Sequence, residues 1–258
     1  MSVKNRNSIV TDSLVFCVDA ANDDSYSGSS GGTAWTDLVG SSNGTLTNME
    51  TNPSSGSYVY NSANGGYIDF DGTDDYANFG NDSSLDYSLS NAVSGEIWVK
   101  FAVNNSYQPI ISRMHNSDPY NGWEFAAGSN SAYRQSFSFF MRNSQGSGWN
   151  NAGQAKVKRT ISPATLPTGT WLQMAFTYDG SGDFNNTKLY KNGALVSSEL
   201  STNTTFTGTV SSTANLTIAA RQSSSPEDLD IAVVRLYEKE LSASEILQNY
   251  NALKSRFD

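Results

Sequence analysis

Twenty-five carboxylates, one histidine and one cysteine limit the chemistry open to this 258-residue chain. A thiol or hydroxyl nucleophile needs a base to take its proton, and His115 is the single imidazole. His115 follows Met114 in a polar loop sequence and reads as a surface residue. Cys17 lies in the apolar run LVFCV and reads as a small core residue, with no second thiol to pair with. Zinc and copper prefer histidine and cysteine ligands, so carboxylates are what remain. Retaining glycoside hydrolysis needs two of them about 5 Å apart across the scissile bond. Glu96 has Trp98 and Lys100 as its same-face neighbours. Glu227, Asp228 and Asp230 are followed by the acid-free run Ile231 to Leu236. Glu238 and Glu240 share a face but flank a helix start. None of these makes a paired set, and the chain is expected not to be an enzyme.

Calcium asks only for oxygen ligands. Asp69, Asp71, Asp74 and Asp75 crowd one turn, and Asp228 and Asp230 end the loop before the last strand. These six are the candidate metal ligands, with Ca2+ as the candidate cofactor. The first four open like an EF-hand loop, D-x-D-G-x-D, but Gly80 stands where that loop needs its bidentate glutamate. The alternative is that these aspartates only shape turns and strand ends. Sugar sites need a ring to stack on and amides to hydrogen-bond hydroxyls. Tyr120, Asn121, Trp123, Tyr133, Trp149 and Asn150 supply both in Gly/Asn-rich loops and are the candidate ligand-binding residues. Trp98 and Trp171 sit in strong strand patterns and read as core.

Short strands must position these groups. Val93 to Val103 alternates cleanly, and Gly66 to Phe79 reads as two strands about an Asp-Gly turn. Lys191-Asn192-Gly193 is a type I′ hairpin signal. Ile231 to Leu236 reads as a final strand buried on both faces. Ser242 and Glu245 then form a capping box, with Ile246, Tyr250, Leu253 and Phe257 as the apolar stripe of one helix. About a dozen strands with turns every ~8–12 residues indicate an all-β antiparallel sandwich with one short C-terminal helix. Residues 1–12 read as a flexible arm in which nothing buries, and 13–258 as one domain. The net charge of −9 argues against nucleic acid. No run approaches the ~18 apolar residues of a membrane span. The N-terminus lacks the apolar core of a secretory signal, so synthesis and folding in a cytoplasm are expected.

The chain resembles the laminin G-like jelly-roll domains of the concanavalin A-like lectin/glucanase superfamily. The resemblance lies in Ile231, Ala232, Arg235, Tyr237, Leu241, Ser242, Glu245 and Ile246. It continues in GYIDFDGTDDYANF, in the Trp171-led strand with its Asp179-Gly180 turn, and in Tyr190-x-Asn192-Gly193. It implies a jelly roll, and calcium at a sandwich edge in some members. Hydrolases of the superfamily carry a tight Glu-x-Asp-x-(x)-Glu cluster, which this sequence lacks. The opening LVFCVDAAN is similar to that of domains in bacteriophage and bacterial surface proteins. This implies a virion decoration, tail or adhesion protein whose partners are other capsid or tail proteins, its own copies, and host polysaccharide. The alternatives are a glycoside hydrolase and a cytosolic lectin-like protein.

Overall fold

A computed structural model describes residues 8–27, 32–49, 65–102, 107–117, 120–128, 136–143, 155–160, 166–203, 210 and 212–258. Two antiparallel sheets face each other across one core. The first contains β1 (Leu14–Asp19), β4 (Ile68–Asp71), β6 (Val93–Phe101), β11 (Trp171–Tyr178), β12 (Lys188–Lys191), β13 (Ala194–Val196) and β16 (Asp228–Tyr237). Its order is β1-β16-β6-β11-β12-β13, with β4 also paired to β16. The second contains β2 (Ala34–Trp35), β3 (Gly44–Thr47), β5 (Tyr76–Asn78), β7 (Gln108–Met114), β8 (Gly122–Ala127), β9 (Phe137–Arg142), β10 (Ala155–Thr160), β14 (Ser198–Asn203) and β15 (Thr217–Ile218). Its order is β14-β10-β9-β8-β7-β15-β5-β3-β2. The expected all-β jelly-roll sandwich is observed.

The core is aromatic where the sheets meet. Phe139 of β9 stacks on Phe176 of β11 at 3.9 Å between centroids, and Phe125 of β8 meets Phe176 at 5.1 Å. Offset rings add about 0.5–1.5 kcal/mol per pair beyond their burial. Gly95 lies against this ring: a Cβ there would stand 2.5 Å from Phe176. The hairpin between β12 and β13 has Asn192 at φ 51° and Gly193 at φ 77°, as a type I′ turn requires. Cys17 is buried, and burial pushes its thiol pKa up, so the inert core reading holds.

Three details depart from expectation. Strand β16 is buried on both faces, but its alternation slips. Leu229, Ile231, Val234 and Leu236 face the core, while Ala232 and Val233 lie in the cluster under the helix. The cause is a bulge against β6 between Ile231 and Val233, where an extra residue flips the face. Strand β14, Ser-Glu-Leu-Ser-Thr-Asn, carries no strand periodicity and forms by pairing with β10 at the sheet edge. Finally, the expectation that nothing in residues 1–12 buries is corrected at Val10. It is 8% exposed, its N–H donates to Asn249 Oδ1 at 2.7 Å, and Tyr237 Oη donates to its carbonyl. A helix asparagine that is itself fully buried ties residue 10 down.

The helix α1 (Ala243–Leu253) starts at the capping box: Ser242 accepts from Glu245 N–H, and Glu245 accepts from Ser242 N–H. It closes the outer face of the first sheet rather than the core. Trp98 is stacked by Tyr250 at 5.7 Å and by Phe257 at 4.2 Å. Arg256 then donates to Asp19 and to the Gly66 carbonyl, fastening the chain end to β1 and the start of β4.

Candidate functional site

The six aspartates do not form one cluster. Strand pairing sets Asp69 opposite Asp230 and Asp71 opposite Asp228 across β4 and β16. The turn after β4 brings together a different group: carboxylate oxygens of Asp71, Asp74 and Asp75 lie within 4.8 Å of one another. Within it, Asp71 accepts Thr73 N–H at 2.7 Å and fully buried Asp75 accepts Asp71 N–H at 3.2 Å. This triad could bind a metal ion. Gly72, at φ 73°, lets the turn lie flat, since a Cβ would stand 2.8 Å from Asp228. In the Asp69–Asp230 pair, Lys100 bridges to Asp230 and sits over the Tyr67 and Trp171 rings.

Among the described residues, burial raises the pKa of five carboxyls: Asp69, Glu124, Glu227, Asp228 and Asp230. Burial first, and then the charge of Asp230, pushes Asp69 up to about 7. Burial pushes Glu227 up to about 8. Both are raised above their unfolded values, so the folded state keeps protons that the unfolded chain releases above pH ~4. Their contribution is present in acid and is lost as pH rises through 7 to 8. Thermal melts should therefore show the protein less stable at pH 8.5 than at pH 5.5. The difference should be about 1–2 kcal/mol after discounting for solvent around both groups, or roughly 3–6 °C. Glu227→Gln should flatten the profile; an unchanged slope in that variant would show that Glu227 ionises normally.

The remaining buried carboxylates are engaged. Glu96 of β6 receives Arg235 Nη1 at 2.6 Å and Gln173 Nε2 at 3.1 Å. Glu124 of β8, which sequence inspection passes over, is fully buried. It receives Arg221 through Nε and Nη2, both at 2.7 Å, and Ser112 Oγ at 2.5 Å. Arg221 also donates to Tyr107 Oη. The sign that could have found Glu124 is its place in GWEFAA, between apolar residues. Its partner lies 97 positions away and leaves no such sign.

The loop candidates divide. Trp123 is corrected: it is 1% exposed and donates Nε1–H to the Leu85 carbonyl at 2.9 Å. It packs in the core beside Tyr87 and Phe139, because its strand β8 turns that face inward. Tyr120 and Asn121 stand at the β7–β8 turn. Register places Gly122 opposite Arg142 of β9, and the Arg142 guanidinium lies 5.3 Å from the Tyr120 ring centre. Asn143, the next residue, is buried. Tyr120, Asn121, Arg142 and Asn143 thus lie near one another at this turn, with the Tyr120 ring half-buried and the other three side chains buried. Tyr133, Trp149 and Asn150 lie outside the described residues.

Comparison with known proteins agrees with this architecture. Residues 71–247 match the laminin G-type profile of the concanavalin A-like lectin/glucanases superfamily. No curated protein matches. Among solved structures, the binding domain of Paraclostridial Mosquitocidal Protein 1 is similar at TM-score 0.63 and 14% identity, over 93% of this chain and 52% of that one. The botulinum neurotoxin serotype D binding domain is similar at TM-score 0.57 and 15% identity, over 93% and 51%. A Trypanosoma rangeli sialidase mutant displaying trans-sialidase activity is similar at TM-score 0.60 and 13% identity, over 97% and 35%. The chain thus spans about half the length of the two binding domains and about a third of the sialidase. At these identities the likeness is one of fold. By its profile match over more than half its length, with the two-sheet fold to accompany it, this chain belongs to the concanavalin A-like lectin/glucanase superfamily.

Proposed function

We propose that this protein is a non-catalytic carbohydrate-binding sandwich that attaches to glycan-bearing surfaces. The observation that carries the reading is the state of the buried glutamates. Glu96 and Glu124 are each held by an arginine and further donors, so neither has an oxygen poised for a sugar carbon. The half-buried Tyr120 ring at the β7–β8 turn is instead the candidate surface for a sugar to stack on. The fold likeness to two domains named for binding supports the same reading. In affinity electrophoresis, the protein should be retarded by at least one cell-surface polysaccharide, and Tyr120→Ala should weaken that retardation about tenfold. Unchanged retardation in Tyr120→Ala would move the site elsewhere.

The hydrolase reading has one point in its favour, the Glu227 carboxyl kept protonated near neutral pH, as a general acid must be. Release of reducing sugar, lost in Glu227→Gln, would establish it against the binding reading. Calcium at Asp71, Asp74 and Asp75 is the second part of the proposal. The same electrophoresis and melts run in Ca2+ and in EDTA test it: calcium should raise the melting temperature of the wild type and leave Asp74→Asn unmoved. Placement on a virion, against capsid or tail proteins, follows from the LVFCVDAAN resemblance. Detection of the chain by mass spectrometry in purified particles is the test, and absence from them would refute it.

A further inference from the structure

A polar cleft of about 250 Å³ lies beside the loop that leads into β6. Its walls are Ser84 from the 3-10 turn Ser83–Leu85, Asp86, Tyr87 and Ser90 to Ala92 from the loop entering β6, and Glu238 just beyond β16. The loop is held from several sides. Tyr178 Oη and Gly182 N–H donate to the Leu89 carbonyl, at 2.6 and 3.1 Å. Asp86 is fixed by fully buried Arg113, at 2.9 Å, and by Ser212 N–H, at 3.2 Å. Ser88 donates twice to Asn91 Oδ1, at 2.8 and 2.6 Å, which leaves the Asn91 NH2 to serve a ligand. A pre-formed site spends little ordering entropy on binding.

One group in the wall is incomplete. Tyr87 is 3% exposed, and its hydroxyl is buried without a hydrogen-bond partner. A buried donor left unmade is costly, and a native site tends to have a reason for it. Glu238 lies near enough to add to the upward shift that burial imposes on that hydroxyl. The face of Tyr87 is taken by Trp123, 5.3 Å away, so a ligand here is held by hydrogen bonds at its edges and not by stacking.

We propose that this cleft binds a single neutral sugar residue. Its volume falls just below the ~300–1,000 Å³ of sites for drug-sized ligands and suits one pyranose. Its lining holds both donors and acceptors, as a polyol needs: the Ser84 hydroxyl, the Ser90 hydroxyl bonded to Ser88 Oγ at 2.9 Å, the Asn91 NH2, the Tyr87 O–H and the Glu238 carboxylate. The Arg113 guanidinium beside Asp86 repels a metal ion. Glu238, an exposed carboxylate, repels anionic sugars. The cleft shares no lining residue with the Tyr120 turn, so variants at each test them separately.

Saturation-transfer NMR on the full chain tests the assignment, with methyl glycosides of glucose, galactose, mannose and N-acetylglucosamine as neutral probes. The methyl glycoside of N-acetylneuraminic acid is the anionic probe. At least one neutral glycoside should bind in the millimolar range and the anionic one should not. Asn91→Ala and Glu238→Ala should each weaken binding about fivefold or more, while Tyr120→Ala leaves it unchanged. Glu238→Gln, which keeps hydrogen-bonding capacity and removes the charge, should admit the anionic glycoside. Asn91 and Glu238 are exposed, so these variants should fold, with circular dichroism as the check. Binding of no neutral glycoside, equal binding of the anionic one, or wild-type affinity in both alanine variants would overturn the assignment. Loss in Tyr120→Ala alone would place sugar binding at the Tyr120 turn and not in the cleft.

Discussion

Arg235→Met is expected to destabilise the protein by about 3–5 kcal/mol, the range for removing one partner of a buried ion pair. Arg235 lies at the centre of β16, 3% exposed, opposite Glu96 on β6. Its Nη1 is 2.6 Å from a carboxylate whose own exposure is 2%. Without the guanidinium, Glu96 keeps only Gln173 Nε2 and must either stay charged in a low-dielectric setting or take up a proton. For a chain of this size the loss corresponds to roughly 6–20 °C in melting temperature. The double variant Glu96→Gln/Arg235→Met removes both charges and should recover most of the loss. Urea denaturation of Arg235→Met, Glu96→Gln and the double variant gives the coupling directly. Similar stabilities for the single and double variants would show that the pair contributes little beyond its packing.

Ending the chain after Leu241 is expected to cost about 5 kcal/mol or more, enough to leave much of the protein unfolded at 37 °C. The segment removed covers Trp98, which is 2% exposed beneath Tyr250 and Phe257. Fully burying a large apolar side chain contributes about 1.5–3 kcal/mol, and here Ile246, Tyr250, Leu253 and Phe257 act together. The same truncation deletes Asn249, which pins Val10 and Tyr237, so the first strand should loosen too. The single variant Tyr250→Ala should cost less than the truncation, since Phe257 still covers Trp98. A melting temperature unchanged by the truncation would mean that the helix does not hold the sheet.

The sequence by itself determined the elements whose cause is local. The capping box of Ser242 and Glu245, the Asn192-Gly193 turn and the alternation of Val93 to Phe101 depend on residues a few positions apart. Each is legible because its partners are neighbours in the chain. The superfamily was legible for the same reason, as a succession of such local signs. Only the tertiary structure decided what long-range contacts control. The turn after β4 and the pairing of β4 with β16 divided six aspartates into a turn triad, the cross-strand pair Asp69 and Asp230, and Asp228, which lies opposite Asp71 of the triad. A bulge in β16 turned Val233 from one face to the other. Trp123 looked like a loop aromatic because its neighbours are Gly122 and Asn121, yet strand register turned its side chain into the core. Glu124 met Arg221, and the cleft formed from residues between Ser84 and Ala92 with Glu238, through separations that no periodicity encodes. Side-chain burial and charge pairing are properties of the closed sandwich, so they appear only once distant strands lie side by side.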